Sequence, residues 1–230
     1  MSDSHGFACI GHRGASGYEP ENTLRSFSRA IEMKCSWIEL DVHMADGHIM
    51  VIHDEDLSRT TNGKGKISES KYEYLSKLDA GEGEHIPTLP EVLALVDHRC
   101  RINIELKGEA IAEPVCAVLR ESSWAPDEFL ISSFNHEELT QVDAFFTRGA
   151  LFDHRVDSYV DTAKRLNAEV VILTRRLVTR KVVDQAHNNG LKFLVYTVNK
   201  PGEVRKMKSL GVDGIFTDFP DRAMKIASEP

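Results

Sequence analysis

Short apolar runs alternate with longer amphipathic stretches from one end of the chain to the other. The runs predict strands over residues 7–11, 37–43, 49–53, 101–107, 129–134, 149–152, 169–174, 192–198 and 214–218. Helical patterns lie between most of them: Leu24, Phe27 and Ile31 recur at helical spacing, as do Ile111, Val115, Val118 and Leu119. Helix stops are legible in Asn188-Asn189-Gly190 and Leu210-Gly211, since residues that accept left-handed backbone end helices readily. One connection breaks the rhythm. Met44-Ala45-Asp46-Gly47 carries an Asp-Gly turn signal, which makes 37–43 and 49–53 a hairpin. With its return arm taken as an accessory strand, eight strands remain, each joined to the next through a helix. That rhythm fits a TIM (β/α)8 barrel, and a doubly wound open sheet would give the same alternation. Residues 54–88 are the least regular stretch and predict a long loop with one short helix, lying over the end of the sheet that carries function.

Polarity inside two strands adds chemistry. Trp37-Ile38-Glu39-Leu40-Asp41-Val42 alternates strictly. In a barrel the outer strand face packs under helices, so Ile38, Leu40 and Val42 belong there, and Glu39 and Asp41 point inward near the C-terminal mouth. Residues 101–107 repeat the pattern, with Asn103, Glu105 and Lys107 facing in. A buried, unpaired carboxylate costs several kcal/mol, and three that converge repel one another as well. One hard divalent cation, Mg2+ or Ca2+, compensates them through oxygen ligands. The plainer alternatives are solvated acids on an edge strand, or a buried Glu–Lys pair.

His12 and His53 each follow an apolar run and precede a charge, Arg13 and Asp54. Barrel enzymes keep catalytic groups at such strand ends, and two imidazoles can act as acid and base near neutral pH. His43 alternates with Glu39 and Asp41 and is expected at the mouth one position further out. His5, His85, His98, His136 and His187 lie in polar or helical contexts and read as surface residues. Gly11-His12-Arg13-Gly14 offers a planar fork of donors where an anion can bind, with glycines that let backbone approach, and Lys107 adds a point charge.

Composition narrows the classes. The 230 residues are 41% hydrophobic and 28% charged, as in a soluble chain with a sizeable core, and no linker or repeat divides the single domain expected over residues 1–230. Twenty-eight Lys and Arg against 36 Asp and Glu give a net charge of −8, which argues against a nucleic-acid partner. An anionic ligand must then be met by local positive charge. Cys9, Cys35, Cys100 and Cys116 form no Cys-x-x-Cys pair and read as small buried hydrophobes. Residues 1–6 lack a basic and apolar leader, and no apolar run approaches membrane-spanning length, so a cytoplasmic protein without stable membrane association is expected. Neither a Walker-type phosphate loop nor a Gly-x-Ser-x-Gly elbow occurs.

His12-Arg13-Gly14, Glu21-Asn22-Thr23, Glu39-Leu40-Asp41-Val42 and His53-Asp54 together resemble the glycerophosphodiester phosphodiesterase family, of bacterial, cytosolic, single-domain type. Glu105-Leu106-Lys107, Tyr196-Thr197-Val198-Asn199 and residues 211–218 continue the resemblance in the family's order over nearly the whole chain. The resemblance implies a metal-dependent TIM-barrel hydrolase that releases glycerol 3-phosphate and an alcohol from deacylated phospholipid headgroups. It implies Glu39, Asp41 and Glu105 as metal ligands, His12 and His53 as the acid/base pair, and Arg13 and Lys107 as phosphate contacts. Glu21 and Asn22 would support the metal, and Phe134 and Tyr196 would line the pocket. The family often has Trp where this chain has Tyr196, which bears on pocket size and alcohol preference. An internal attack by the glycerol 2-hydroxyl, through a cyclic phosphate, is the expected route. Rival readings are a phospholipase D-like barrel acting on lysophospholipids and a catalytically inactive glycerophosphodiester-binding protein. A homodimer is compatible with an exposed apolar helix face. A barrel of this length leaves little chain for a lid, so an open mouth and small, water-soluble diesters are expected.

Overall fold

A computed structural model describes residues 6–229; His5, most of the chain start and Pro230 lie outside the described residues. In chain order the strands are β1 (Ala8–Gly11), β2 (Trp37–Ala45), β3 (His48–Val51), β4 (Arg101–Leu106), β5 (Phe129–Ser133), β6 (Thr147–Phe152), β7 (Val170–Thr174), β8 (Lys192–Tyr196) and β9 (Gly214–Thr217). The helices are α1 (Leu24–Glu32), α2 (Tyr72–Leu75), α3 (Leu89–Val96), α4 (Ala112–Glu121), α5 (His136–Gln141), α6 (Tyr159–Arg165), α7 (Arg180–His187), α8 (Pro201–Ser209) and α9 (Pro220–Ala227).

Pairing of β1 with both β9 and β2 closes the sheet and settles the choice between barrel and open sheet. The closed ring is a TIM (β/α)8 barrel of eight parallel strands. β3 stays outside it, antiparallel to β2 with Val42 opposite Val51 and Ala45 opposite His48, as the Asp46-Gly47 turn requires. The outward residues Ile38, Leu40, Val42, Ile102, Ile104 and Leu106 are buried in the layer beneath the helices. Inside the barrel, Ile10, Trp37, Leu130, Leu151, Val170, Ile172, Leu194 and Phe216 fill the lower part with an apolar plug. The register of β2 on β4 sets Glu39 beside Asn103 and Asp41 beside Glu105, so the polar side chains share the C-terminal end above that plug.

Residues 54–88 differ from the loop with one short helix that the sequence suggests. They form a compact insert with a 3-10 turn at Ile67–Glu69 besides α2. Leu57, Ile67, Leu75, Leu78 and Ile86 pack on Met50 and Ile52 as a separate small core, whose apolar residues follow no regular period along the chain. The insert ends at Thr88, whose hydroxyl and the Glu91 side chain form a capping box that starts α3. No helix among the described residues is long and apolar enough to cross a membrane.

Candidate active site

Glu39 and Asp41 are 2% and 1% exposed, and with Glu105 they place one oxygen each within 4.8 Å of one another. Each of the first two has one oxygen satisfied by protein and one bare. Glu39 Oε2 accepts the Arg13 backbone N–H at 2.8 Å, while Oε1 has no hydrogen-bond partner. Asp41 Oδ2 accepts from Asn22 Nδ2 at 2.8 Å and lies 3.3 Å from Arg13 Nε, while Oδ1 is equally bare. Lys107 donates to Glu105 Oε1 at 2.7 Å and stands 3.7 Å from Asp41 Oδ1. The buried Glu–Lys pair is therefore real, but it leaves three carboxylates against two cations and two buried oxygens unserved. Burial and the Asp41 charge push the Glu39 carboxyl up to about 8. The same two causes raise Glu105. Burial works against the charged form of Asp41 too, yet Arg13 and Lys107 outweigh it and hold that carboxyl low. Convergent, bare, all-oxygen donors fit a hard divalent cation such as Mg2+ or Ca2+.

The β1–α1 connection builds the other wall. Arg13 and Asn22 both take left-handed backbone, at φ +52 and +57, a conformation that costs a non-glycine residue about 1–2 kcal/mol. The Asn22 N–H donating to the Arg13 carbonyl at 3.1 Å and Ser26 Oγ donating to the same oxygen at 2.8 Å hold it there. Thr23 then caps α1 by accepting from the Ser26 N–H. Gly14 adopts φ +83, and a Cβ there would meet Ser26 Oγ at 2.4 Å and its carbonyl oxygen at 2.7 Å. Gly14→Ala is expected to cost about 2–4 kcal/mol, the sum of a left-handed penalty and overpacking, read as a lowered urea midpoint. An unchanged midpoint would show that this turn does not need glycine.

Asn22 bonds Asp41 directly, whereas Glu21 is linked to it through Arg13. Glu21 accepts from Arg13 Nη1 at 2.7 Å and is gripped from the other side by Arg59 of the insert, at 2.8 and 2.9 Å.

His12 and His53 each donate Nδ1–H to a carboxylate. His12 donates to Asp218 Oδ1 at 2.6 Å, and Asp218 also accepts from Ser16 Oγ at 3.0 Å and Asn199 Nδ2 at 2.6 Å. His53 donates to its neighbour Asp54. Lys107 Nζ donates to His53 Nε2 at 3.1 Å, and because an ammonium only donates, that nitrogen carries a lone pair and His53 is neutral. Burial opposes charge on His12, but the Asp218 hydrogen bond and the nearby Glu39 outweigh it and hold the imidazole above its ordinary range. Burial lowers His53, and Lys107 and Arg13 add to that against the pull of Asp41.

Other expected positions fall differently. His43 Nε2 donates to the His53 carbonyl at 3.0 Å and braces that residue. His136 is half-buried and donates to the Leu151 carbonyl at 3.1 Å, rather than lying on the surface. Phe134 and Tyr196 meet edge to face at 5.7 Å, with Lys107 Nζ 5.7 Å over the Phe134 ring and the Tyr196 hydroxyl donating to the Phe152 carbonyl at 2.9 Å. Phe134 also lines a cavity of about 610 Å3, together with Leu151, Phe152, Asp153 and Asp157 among others. Asp218 and Asn199 received no role from the sequence. Asp218 does continue the inward series Gly214, Phe216, Asp218 to the mouth, the same signal that marked Glu39 and Asp41.

The comparisons decide the family. The model of the glycerophosphoryl diester phosphodiesterase family matches residues 12–222. The chain belongs to this family. It is 39% identical to a glycerophosphodiester phosphodiesterase of Bacillus altitudinis, with 95% of this chain and 97% of that protein covered. A glycerophosphodiester phosphodiesterase of Caldanaerobacter subterraneus subsp. tengcongensis is 36% identical, over 94% of this chain and 96% of that one. Among solved structures, an Oleispira antarctica phosphodiesterase in complex with the product sn-glycerol-3-phosphate superposes with a TM-score of 0.90, at 30% identity over 96% of this chain and 97% of the other.

Proposed function

We propose that this chain is a phosphoric diester hydrolase that converts glycerophosphodiesters to glycerol 3-phosphate and an alcohol, with a divalent cation on Glu39, Asp41 and Glu105 and with His12 and His53 moving the protons. A single barrel domain carries the activity. The observation that supports this reading most strongly is the pair of bare buried oxygens, Glu39 Oε1 and Asp41 Oδ1, in one mouth with two histidines, one bonded to Asp218 and the other to Lys107. Family membership and the product held by the Oleispira enzyme point to the same substrate class.

A cation bound there supplies Lewis-acid charge against the phosphoryl oxygens and the attacking hydroxyl. The chain's own groups do the rest. Arg13, fixed by Glu21 and Asp41, presents its guanidinium to the phosphate. Lys107 is a flexible ammonium that can transfer its hydrogen bond from His53 Nε2 to a phosphoryl oxygen. That transfer frees the Nε2 lone pair to accept the proton of the glycerol 2-hydroxyl as its oxygen bonds to phosphorus. His12, protonated through its pairing with Asp218, gives a proton to the departing alcohol oxygen. Water then opens the five-membered cyclic phosphate with the two imidazoles in exchanged roles. Phe134 and Tyr196, packed edge to face beside Lys107, would wall the side of the mouth that meets the alcohol group.

Cation binding must displace the proton that Glu39 holds below about pH 8. Affinity for Mg2+ or Ca2+ is therefore expected to rise between pH 6 and pH 8, with about one proton released per ion at neutral pH, measured by calorimetry in buffers of differing ionisation enthalpy. Binding with no proton release would contradict the Glu39 assignment. The function itself is tested by incubating the protein with glycerophosphocholine, glycerophosphoethanolamine and glycerophosphoinositol and measuring glycerol 3-phosphate. Lysophosphatidylcholine in vesicles is the control, and faster turnover of that lipid would favour the phospholipase D-like alternative.

A further inference from the structure

Arg59 belongs to the insert rather than to the barrel, and it lies 38 residues from Glu21 in sequence. Its guanidinium nevertheless makes four hydrogen bonds to two site carboxylates. Nη1 and Nη2 donate to Glu21 Oε2 and Oε1 at 2.9 and 2.8 Å. Nε pairs with Asp54 Oδ2, and Nη2 also donates to Asp54 Oδ1 at 3.1 Å. Glu21 Oε1 receives Arg13 Nη1 on its other side, and Asp54 Oδ1 receives His53 Nδ1. An unbroken chain of charge-assisted bonds thus runs Arg13–Glu21–Arg59–Asp54–His53, from the guanidinium proposed to bind phosphate to the imidazole proposed as base.

We infer that Arg59 is a positioning residue that couples the phosphate contact Arg13 to the base His53, so that the insert sets the geometry of the barrel's chemistry. This rests on the proposed hydrolase reading of the same site. An isolated surface ion pair would contribute little, and the Arg59 side chain is 46% exposed. Two features raise this one above that level. The guanidinium fork engages both oxygens of each carboxylate, a geometry that only arginine offers. The insert also has its own apolar core, built on Leu57 two residues before Arg59, which anchors the stem from which the side chain reaches. Without Arg59, Asp54 keeps its bond to His53 but loses the group that fixes its own orientation, and Glu21 loses one of its two arginines.

Removing a partner that orients a catalytic group costs about 10–100-fold in activity. Arg59→Ala is expected to lower kcat by that factor and to raise KM a few-fold through Arg13, with added guanidinium ion restoring part of kcat. Arg59→Lys keeps the charge but can serve only one carboxylate, so its kcat falls as well. The readout independent of turnover is the downfield ring N–H proton of His53, assigned by its loss in His53→Ala. It should move upfield in both Arg59 variants while the His12 counterpart stays. An unshifted His53 resonance, or wild-type kcat and KM in Arg59→Lys, would overturn the coupling. A wild type that releases no glycerol 3-phosphate, with the His53 resonance still sensitive to Arg59, would overturn the hydrolase reading and leave the chain of bonds standing. If Arg59→Ala does not fold, Arg59→Lys decides the matter by the same two readouts.

Discussion

Replacing His12 or His53 by alanine should lower kcat by about 10²–10⁴-fold, the usual size of a general acid–base contribution. The two losses should differ in kind. His53 accepts from Lys107 and carries a lone pair on Nε2, so its loss removes the acceptor for the nucleophile's proton whatever alcohol departs. His12 is paired with Asp218, which raises its affinity for a proton and suits it to the acid role, so its loss matters in proportion to how badly the leaving group needs a proton. With a nitrophenyl ester of glycerol phosphate, whose leaving group departs unaided, His12→Ala should recover most of its rate while His53→Ala should not. Steady-state kinetics on choline and nitrophenyl diesters measures this directly. Equal recovery in both variants, or recovery only in His53→Ala, would reverse or remove the assignment.

The second large effect concerns the acids. Glu39→Gln and Asp41→Asn each remove a carboxylate from a set in which Glu39 Oε1 and Asp41 Oδ1 have no hydrogen-bond partner. Losing the cation forfeits several kcal/mol of transition-state stabilisation, about a thousand-fold or more in kcat. Stability should move the other way. A carboxyl whose folded pKa is raised contributes stability that is fully present below its unfolded pKa and is lost as pH rises through the folded value. For Glu39 that window runs from the ordinary carboxylate range up to about 8. In EDTA, wild type should therefore lose thermal stability across this window, and Glu39→Gln should lack that part of the slope and melt higher at pH 8. Adding Mg2+ or Ca2+ should raise Tm of wild type and leave Glu39→Gln unmoved. A Glu39→Gln variant that melts lower than wild type at pH 8 in EDTA would show that the carboxylate is structural.

These effects also show what kind of information the chain displays openly. Glu39, Asp41 and Glu105 were legible because strand alternation is strict and two acids on the inward face contradict an apolar interior. The same period would have exposed Asp218, but one acid at the end of a short strand resembles any loop residue until its bond to His12 is seen. Barrel closure was not legible, since an open sheet has the same rhythm; only the β1–β2 pairing decides it. The partners of Glu21 were not legible either: its long side chain spends its oxygens on Arg13 and Arg59. Arg59 left no trace at all. It sits in an insert without periodicity, and a five-donor guanidinium on a long stem can serve a site far from its own place in sequence.

One measurement bears on the whole account. The protein is stripped with EDTA, divided, and assayed for glycerol 3-phosphate release from glycerophosphocholine with and without restored Mg2+ or Ca2+, alongside Asp41→Asn. The account predicts release only in the restored wild type. Release that survives stripping with no metal detected in the protein, or that persists in Asp41→Asn, would contradict it.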